Sequence, residues 1–200
     1  MPYYPEQVLK HFLYPRNAGE VDQSEASGEA GSLKCGAVLR LSLKIDSESR
    51  KLLDARFKAT GCGYLIAAAS VLTELLKDLT VGEAAKLSES SLAERAIAER
   101  LGEVPPEKAH CLALCREALA AANRHYRTST LEEWTGDEAL VCTCFGISEK
   151  TIEHVIRAGS LVLLEEVTRA CNAGAGCRSC HPLIEDILAD YRRTFSANPQ

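Results

Sequence analysis

Two runs, Cys142-Thr-Cys144 and Cys177-Arg-Ser-Cys180, lie 32 residues apart and together supply four thiols in two close pairs. Four thiolates are the donor set of a tetrahedral all-sulfur metal centre. A pair one or two residues apart grips a single metal ion. A [2Fe–2S] rhomb holds two irons, each needing two protein ligands, so two pairs from distant segments suit it. A structural zinc ion is the alternative for the same spacing. The approach Asn172-Ala-Gly-Ala-Gly176 is low in side-chain bulk, which lets backbone N–H groups come near the sulfurs. Cys171 falls on the apolar stripe Leu164/Val167/Cys171 and reads as a small core residue rather than a fifth ligand.

A second set is dispersed. Cys35 follows a loop and precedes a strand pattern, Cys62 stands in Thr60-Gly-Cys-Gly63 where a helix begins, and Cys111 heads another helix beside His110. A helix N-terminus favours a thiolate at Cys62, and His110 offers a neutral fourth ligand. Glycines at 36, 61 and 63 leave access for iron or a partner's sulfur. Against this, a lone buried cysteine is usually a small hydrophobe and a lone histidine usually a surface or hydrogen-bonded group. Cys115, one turn beyond Cys111, is either a spare thiol or part of the core stripe Cys111, Cys115, Ala118, Ala122, and the small size of that stripe favours core.

Nine cysteines, an odd number, argue for metal binding or reactivity rather than a closed disulfide set. No apolar run approaches the ~20 residues that cross a bilayer, and Met1-Pro2-Tyr3 opens no secretory leader, so a cytoplasmic protein is expected. Residues 1–127 hold 17 basic and 17 acidic groups, and residues 128–200 hold 6 and 11, which puts the net charge of −5 in the C-terminal part. That balance argues against nucleic acid and for a protein partner.

These thiols need elements to position them. Residues 5–14 space Val8, Leu9, Phe12 and Leu13 for a short amphipathic helix. Residues 18–32, rich in Gly, Ser and Glu, predict a mobile loop. Leu39 to Ile45 and Leu53 to Ala59 alternate as two antiparallel strands. Helices are predicted over 63–77, 81–87, 91–101 and 109–126. The first domain, 1–127, is therefore α+β, an antiparallel sheet covered by helices. Residues 128–140 read as a linker that Trp134 pins to one side, and 141–195 as a small all-helical domain, with Ser148 an N-cap.

Val141-Cys-Thr-Cys-Phe-Gly-Ile-Ser148 with Ala175-Gly-Cys-Arg-Ser-Cys-His-Pro182 resembles the bacterioferritin-associated-ferredoxin type of [2Fe–2S] domain. Lys34-Cys-Gly36, Phe57-Lys-Ala-Thr-Gly-Cys-Gly63 and Val104-Pro-Pro-Glu-Lys-Ala-His-Cys111 resemble the three ligand segments of the IscU/NifU scaffold family, over about residues 3 to 126. The whole is similar to a NifU-type protein, with the C-terminal Nfu-like domain expected to be absent. The resemblance implies an IscU-like first domain. It also implies a scaffold, not an enzyme, that takes sulfur from a cysteine desulfurase, builds a transient cluster on Cys35, Cys62, Cys111 and His110, where iron or zinc also binds, and passes it to apo-proteins. A permanent [2Fe–2S] centre on Cys142, Cys144, Cys177 and Cys180 would exchange single electrons, and a homodimer is expected. Residues 104–108 resemble a chaperone-recognition segment, although a rigid Pro-Pro connection accounts for them more simply. Where the family has Asp, this chain has Ala37, which predicts a longer-held cluster. Two other readings of the residues are a one-electron carrier with a docking domain and a zinc-stabilised adaptor.

Overall fold

The computed structural model describes residues 4–47, 49–133 and 139–196. Among the described residues, 4–47 and 51–126 form one compact unit, and 49–50 with 127–133 and 139–196 the other. Trp134 and residues 134–138 of the expected linker lie outside the described residues.

The first unit runs α1 (Glu6–Leu13), β1 (Ala26–Ser32), β2 (Ala37–Ile45), β3 (Leu52–Thr60), α2 (Gly63–Leu76), α3 (Val81–Glu89), α4 (Leu92–Leu101), a 3-10 turn (Pro106–Lys108) and, as far as Tyr126, α5 (Ala109–Glu133). The sheet order is β1-β2-β3, antiparallel throughout. On β2, Leu39, Leu41 and Leu43 point to a core in which they are almost wholly buried. The helix α2 is apolar nearly all round and is correspondingly enclosed, packed on α1, β3 and α4. The start of α3 has a full capping box, in which Thr80 and Glu83 satisfy each other's backbone N–H groups.

The segment predicted to be a mobile loop contains a seven-residue strand, β1. Its small side chains are a packing requirement. A Cβ on Gly28 would lie 2.2 Å from both the Ala118 carbonyl oxygen and the Ala122 nitrogen, so β1 and α5 meet backbone to backbone. Ala26 beside it is fully buried. Composition alone reads such a segment as unable to bury surface, because it counts side-chain area and misses a close main-chain approach.

The helix predicted to stop at Tyr126 continues to Glu133, so residues 128–133 are helical rather than irregular. They carry no Gly or Pro to break it.

The second unit contains a two-stranded antiparallel pair, β4 (Leu140–Cys142) and β5 (Ile147–Ser148), then α6 (Glu149–Gly159), α7 (Leu164–Cys171) and α8 (His181–Ser196). It is helical as expected except for the small pair. Ser148 caps α6 by accepting the Thr151 N–H, and Ile152, Ile156, Val167, Ile184 and Leu188 form its core. Among the described residues no helix is long and apolar enough to cross a membrane.

Candidate functional site

The sheet register assembles the first site. Val38 at the head of β2 pairs with Thr60 at the end of β3, so Cys35, just before β2, and Cys62, just after β3, emerge at the same end of the sheet. Cys35 sits in the tight turn linking β1 to β2, closed by the Gly36 N–H donating to the Ser32 carbonyl at 2.9 Å. Gly36 has φ +65°, a conformation that glycine adopts without strain. Cys62 is the N-cap residue of α2. His110 and Cys111 enter from the first turn of α5.

The four side chains touch in sequence. Cys62 Sγ lies 3.6 Å from Cys111 Sγ, and His110 Nε2 lies 3.6 Å from Cys111 Sγ and 3.6 Å from Cys35 Sγ. A tetrahedral metal with bonds of about 2.3 Å to sulfur separates its ligands by about 3.8 Å, so these spacings are close to ligand–ligand edges. The contacts are pairwise rather than closed around one point: among the described residues no three His, Cys, Asp or Glu side chains are arranged to hold a single ion.

Exposure grades across the set, from exposed Cys35 through half-buried Cys62 to buried Cys111. The Cys35 thiol is held below its ordinary pKa, first by the Ser32 side chain and then by the Ala37 N–H. Burial, and next Cys62 beside it, pushes Cys111 up to about 12. Ala37 is buried, and a Cβ on Gly61 would come within 3.2 Å of its methyl carbon. Cys115 is wholly buried one turn below Cys111, as a core residue would be. Tyr4 and Phe12 lie against Gly63, the first residue of α2, and Tyr4 meets Tyr64 edge-on with centroids 5.2 Å apart. Neither these aromatics nor Ser32 figured among the candidates. The adjacency of Ser32 to the turn was the single signal in the sequence.

In the second unit, Cys142 and Cys144 come from the β4 end and the β4–β5 turn, and Cys177 and Cys180 from the loop joining α7 to α8. The sequence suggests that neighbours grip together, but the close approaches run across the two segments. Cys144 Sγ is 3.3 Å from Cys177 Sγ. Burial, then the proximity of Cys142, raises Cys180 to about 12. The Ser179 hydroxyl, 3.0 Å from Cys177 Sγ, and then the Ser179 N–H hold Cys177 at about 7.

The low-bulk approach has a defined purpose at Gly176. A Cβ there would stand 2.9 Å from Cys144 Cβ and 3.1 Å from its sulfur. The loop is braced by the His181 ring, whose Nε2 donates to the Gly174 carbonyl at 2.9 Å, and by the Ala175 N–H donating to the Asn172 carbonyl. Four free thiols, two cross-segment approaches and a loop shaped to the sulfurs fit an all-thiolate [2Fe–2S] centre. Cys171, which donates to the Val167 carbonyl, is buried in the core.

Comparison with known proteins finds two family models along the chain. Residues 3–133 match the family model described as NifU-like N terminal domain, and residues 140–190 match the BFD-like [2Fe-2S] binding domain. The nitrogen fixation protein NifU of Nostoc sp. is 40% identical over 97% of this chain and 66% of its own length, and that of Azotobacter chroococcum is 42% identical over 94% and 59%. The chain thus spans about three-fifths to two-thirds of the length of these relatives. The iron–sulfur cluster assembly scaffold protein IscU of Aquifex aeolicus is 38% identical over 62% of this chain and 75% of its own. In fold, a crystal structure of a NifU-like N-terminal protein from Brucella abortus superposes with TM-score 0.52 over 62% of this chain and 93% of its own, at 17% identity.

Proposed function

The chain belongs to the NifU-like family, and from that premise we propose that it is an iron–sulfur cluster assembly scaffold with a resident [2Fe–2S] centre. In this reading iron and sulfide meet on Cys35, Cys62, Cys111 and His110, the sulfur arriving from a cysteine desulfurase. The finished [2Fe–2S] cluster then passes to apo-proteins, those of nitrogen fixation among them. The observation that carries the reading is the graded quartet itself, three thiols and an imidazole linked by 3.6 Å contacts with one thiol exposed. Assembly needs a thiolate that an incoming persulfide reaches, and Cys35 is the one in the open. Holding the product needs further donors, which the less exposed Cys62 and Cys111 and the neighbouring His110 would supply.

Cys142, Cys144, Cys177 and Cys180 would hold the resident centre, which when bound would supply single electrons, two of them for each persulfide sulfur reduced to sulfide. This chain's own contribution there is to lower the Cys177 pKa through Ser179, which favours its thiolate, and to exclude bulk at Gly176. The protein would work in the cytoplasm as a homodimer, without nucleic acid or membrane. The exposed Pro106–Glu107 turn is open to a chaperone.

The test is anaerobic reconstitution with ferrous iron, cysteine and a desulfurase, followed by mixing with an apo-ferredoxin. The protein should emerge from purification coloured by the resident centre, gain a second cluster, and lose that second cluster alone to the acceptor. A colourless protein holding only zinc, or one that gains no transferable cluster, overturns the proposal.

A further inference from the structure

Between α4 and α5 the chain makes a single 3-10 turn, closed by the Lys108 N–H donating to the Pro105 carbonyl at 2.8 Å and the Ala109 N–H donating to the Pro106 carbonyl. Two consecutive prolines restrict the backbone before this turn forms, so little entropy is lost in making it. The turn aims the Glu107 carbonyl at His110 Nδ1, 2.9 Å away. A carbonyl oxygen only accepts, so Nδ1 carries the proton, and in a neutral ring the lone pair is then on Nε2. That nitrogen is the one lying 3.6 Å from both Cys35 and Cys111 sulfurs. An unrestrained neutral histidine favours the opposite tautomer, with Nε2 protonated.

We infer that the main chain of residues 105–108 is a positioning device: it locks His110 in the Nδ1–H tautomer, with Nε2 ready to bind metal between Cys35 and Cys111. The inference rests on His110 being a ligand of the scaffold site, and it gives the Pro-Pro segment a role that neither a chaperone motif nor a plain connection supplies. A ring fixed in orientation and tautomer by an outer hydrogen bond binds metal without first reorganising.

The full chain, 15N-labelled in histidine, would be examined free of metal by long-range 15N–1H NMR and then titrated with zinc alone. The expected result is an Nδ1–H ring at His110 whose Nε2 moves to the metal-bound position while Nδ1 keeps its proton. Pro106→Gly should mix the tautomers and raise the zinc concentration needed for half-conversion of that signal about tenfold, with the buried His11 signal unchanged as a check on folding. An Nε2–H ring in the unsubstituted protein that still takes zinc overturns the positioning role and leaves the scaffold reading intact. An Nδ1–H ring that ignores zinc overturns both the inference and the assignment of His110 as a ligand. An unaltered zinc response in a folded Pro106→Gly protein also defeats the inference.

Discussion

Ala37 is the residue at which chemistry and packing pull on the same atom. It is 3% exposed, follows Cys35 by two positions, and donates its N–H to that thiol. A carboxylate placed there would have little water to solvate it and a strong preference for a nearby cation. On a loaded scaffold that cation is cluster iron, and an oxygen ligand competing with sulfur opens a route to release. Ala37→Asp should therefore shorten cluster lifetime in a chelator challenge several-fold, followed by loss of visible absorbance, and an unchanged lifetime would sink the idea. Residue types and spacing in the sequence carried the three thiols and imidazole of one set, and the four thiols of the other, as far as candidates. What they did not carry is the gradation among those thiols. Ser32 and Ser179 act on Cys35 and Cys177 through hydroxyl contacts that have no periodicity to read, and the cross-segment approach of Cys144 to Cys177 depends on a loop path that spacing leaves open.

Two predictions belong to the elements. β1 exists because α5 can lie directly on its backbone at Gly28, so Gly28→Ala forces the strand and helix apart. Overpacking of this kind costs about 1–3 kcal/mol or more, and the loss should appear as a lower unfolding midpoint together with faster amide exchange across β1. A midpoint within error of the parent would mean that the two backbones do not meet. The amphipathic periods of α1, α3, α4 and α6 to α8, and the all-round apolar run of α2, were legible because side-chain burial shapes them. β1 was not, since main-chain contact leaves only small residues as its trace.

The second element-scale prediction concerns α1, which is tied to α2 by His11, whose Nδ1 is 2.9 Å from the Ser70 hydroxyl, while the same hydroxyl accepts the Arg16 N–H. Burial first, and the Arg16 charge next, hold His11 below its usual 6.5, with Glu74 opposing and Lys10 and Arg100 assisting. A histidine with a depressed folded pKa is kept neutral by the fold, so the unfolded chain takes up its proton at higher pH. Its contribution to stability is thus complete above 6.5 and lost as pH falls from there through the folded value. The melting temperature should drop more steeply between pH 6.5 and 5 in the parent than in His11→Gln. Parallel pH profiles for the two proteins would show that His11 titrates freely.

At the scale of the whole molecule, each unit carries its own set of candidate ligands, one graded from exposed to buried and one drawn from two short braced segments. If the first set exchanges its cluster while the second retains one, the two must be separable by substitution in the intact chain. In Cys35→Ser/Cys62→Ser the reconstituted protein should bind half the iron of the parent, and all of its colour should resist chelator. In Cys144→Ser/Cys177→Ser the iron content should again halve, but what remains should be chelator-labile and transferable. Replacing two of four ligands removes one iron's worth from a [2Fe–2S] rhomb, enough to lose the cluster rather than weaken it. Iron and sulfide per chain, measured before and after a timed chelator exposure, decide the matter. Loss of all colour in the first variant, or retention of chelator-resistant colour in the second, would mean that the two sets are not an exchanging site and a retaining one, and the division of labour proposed for them would fail.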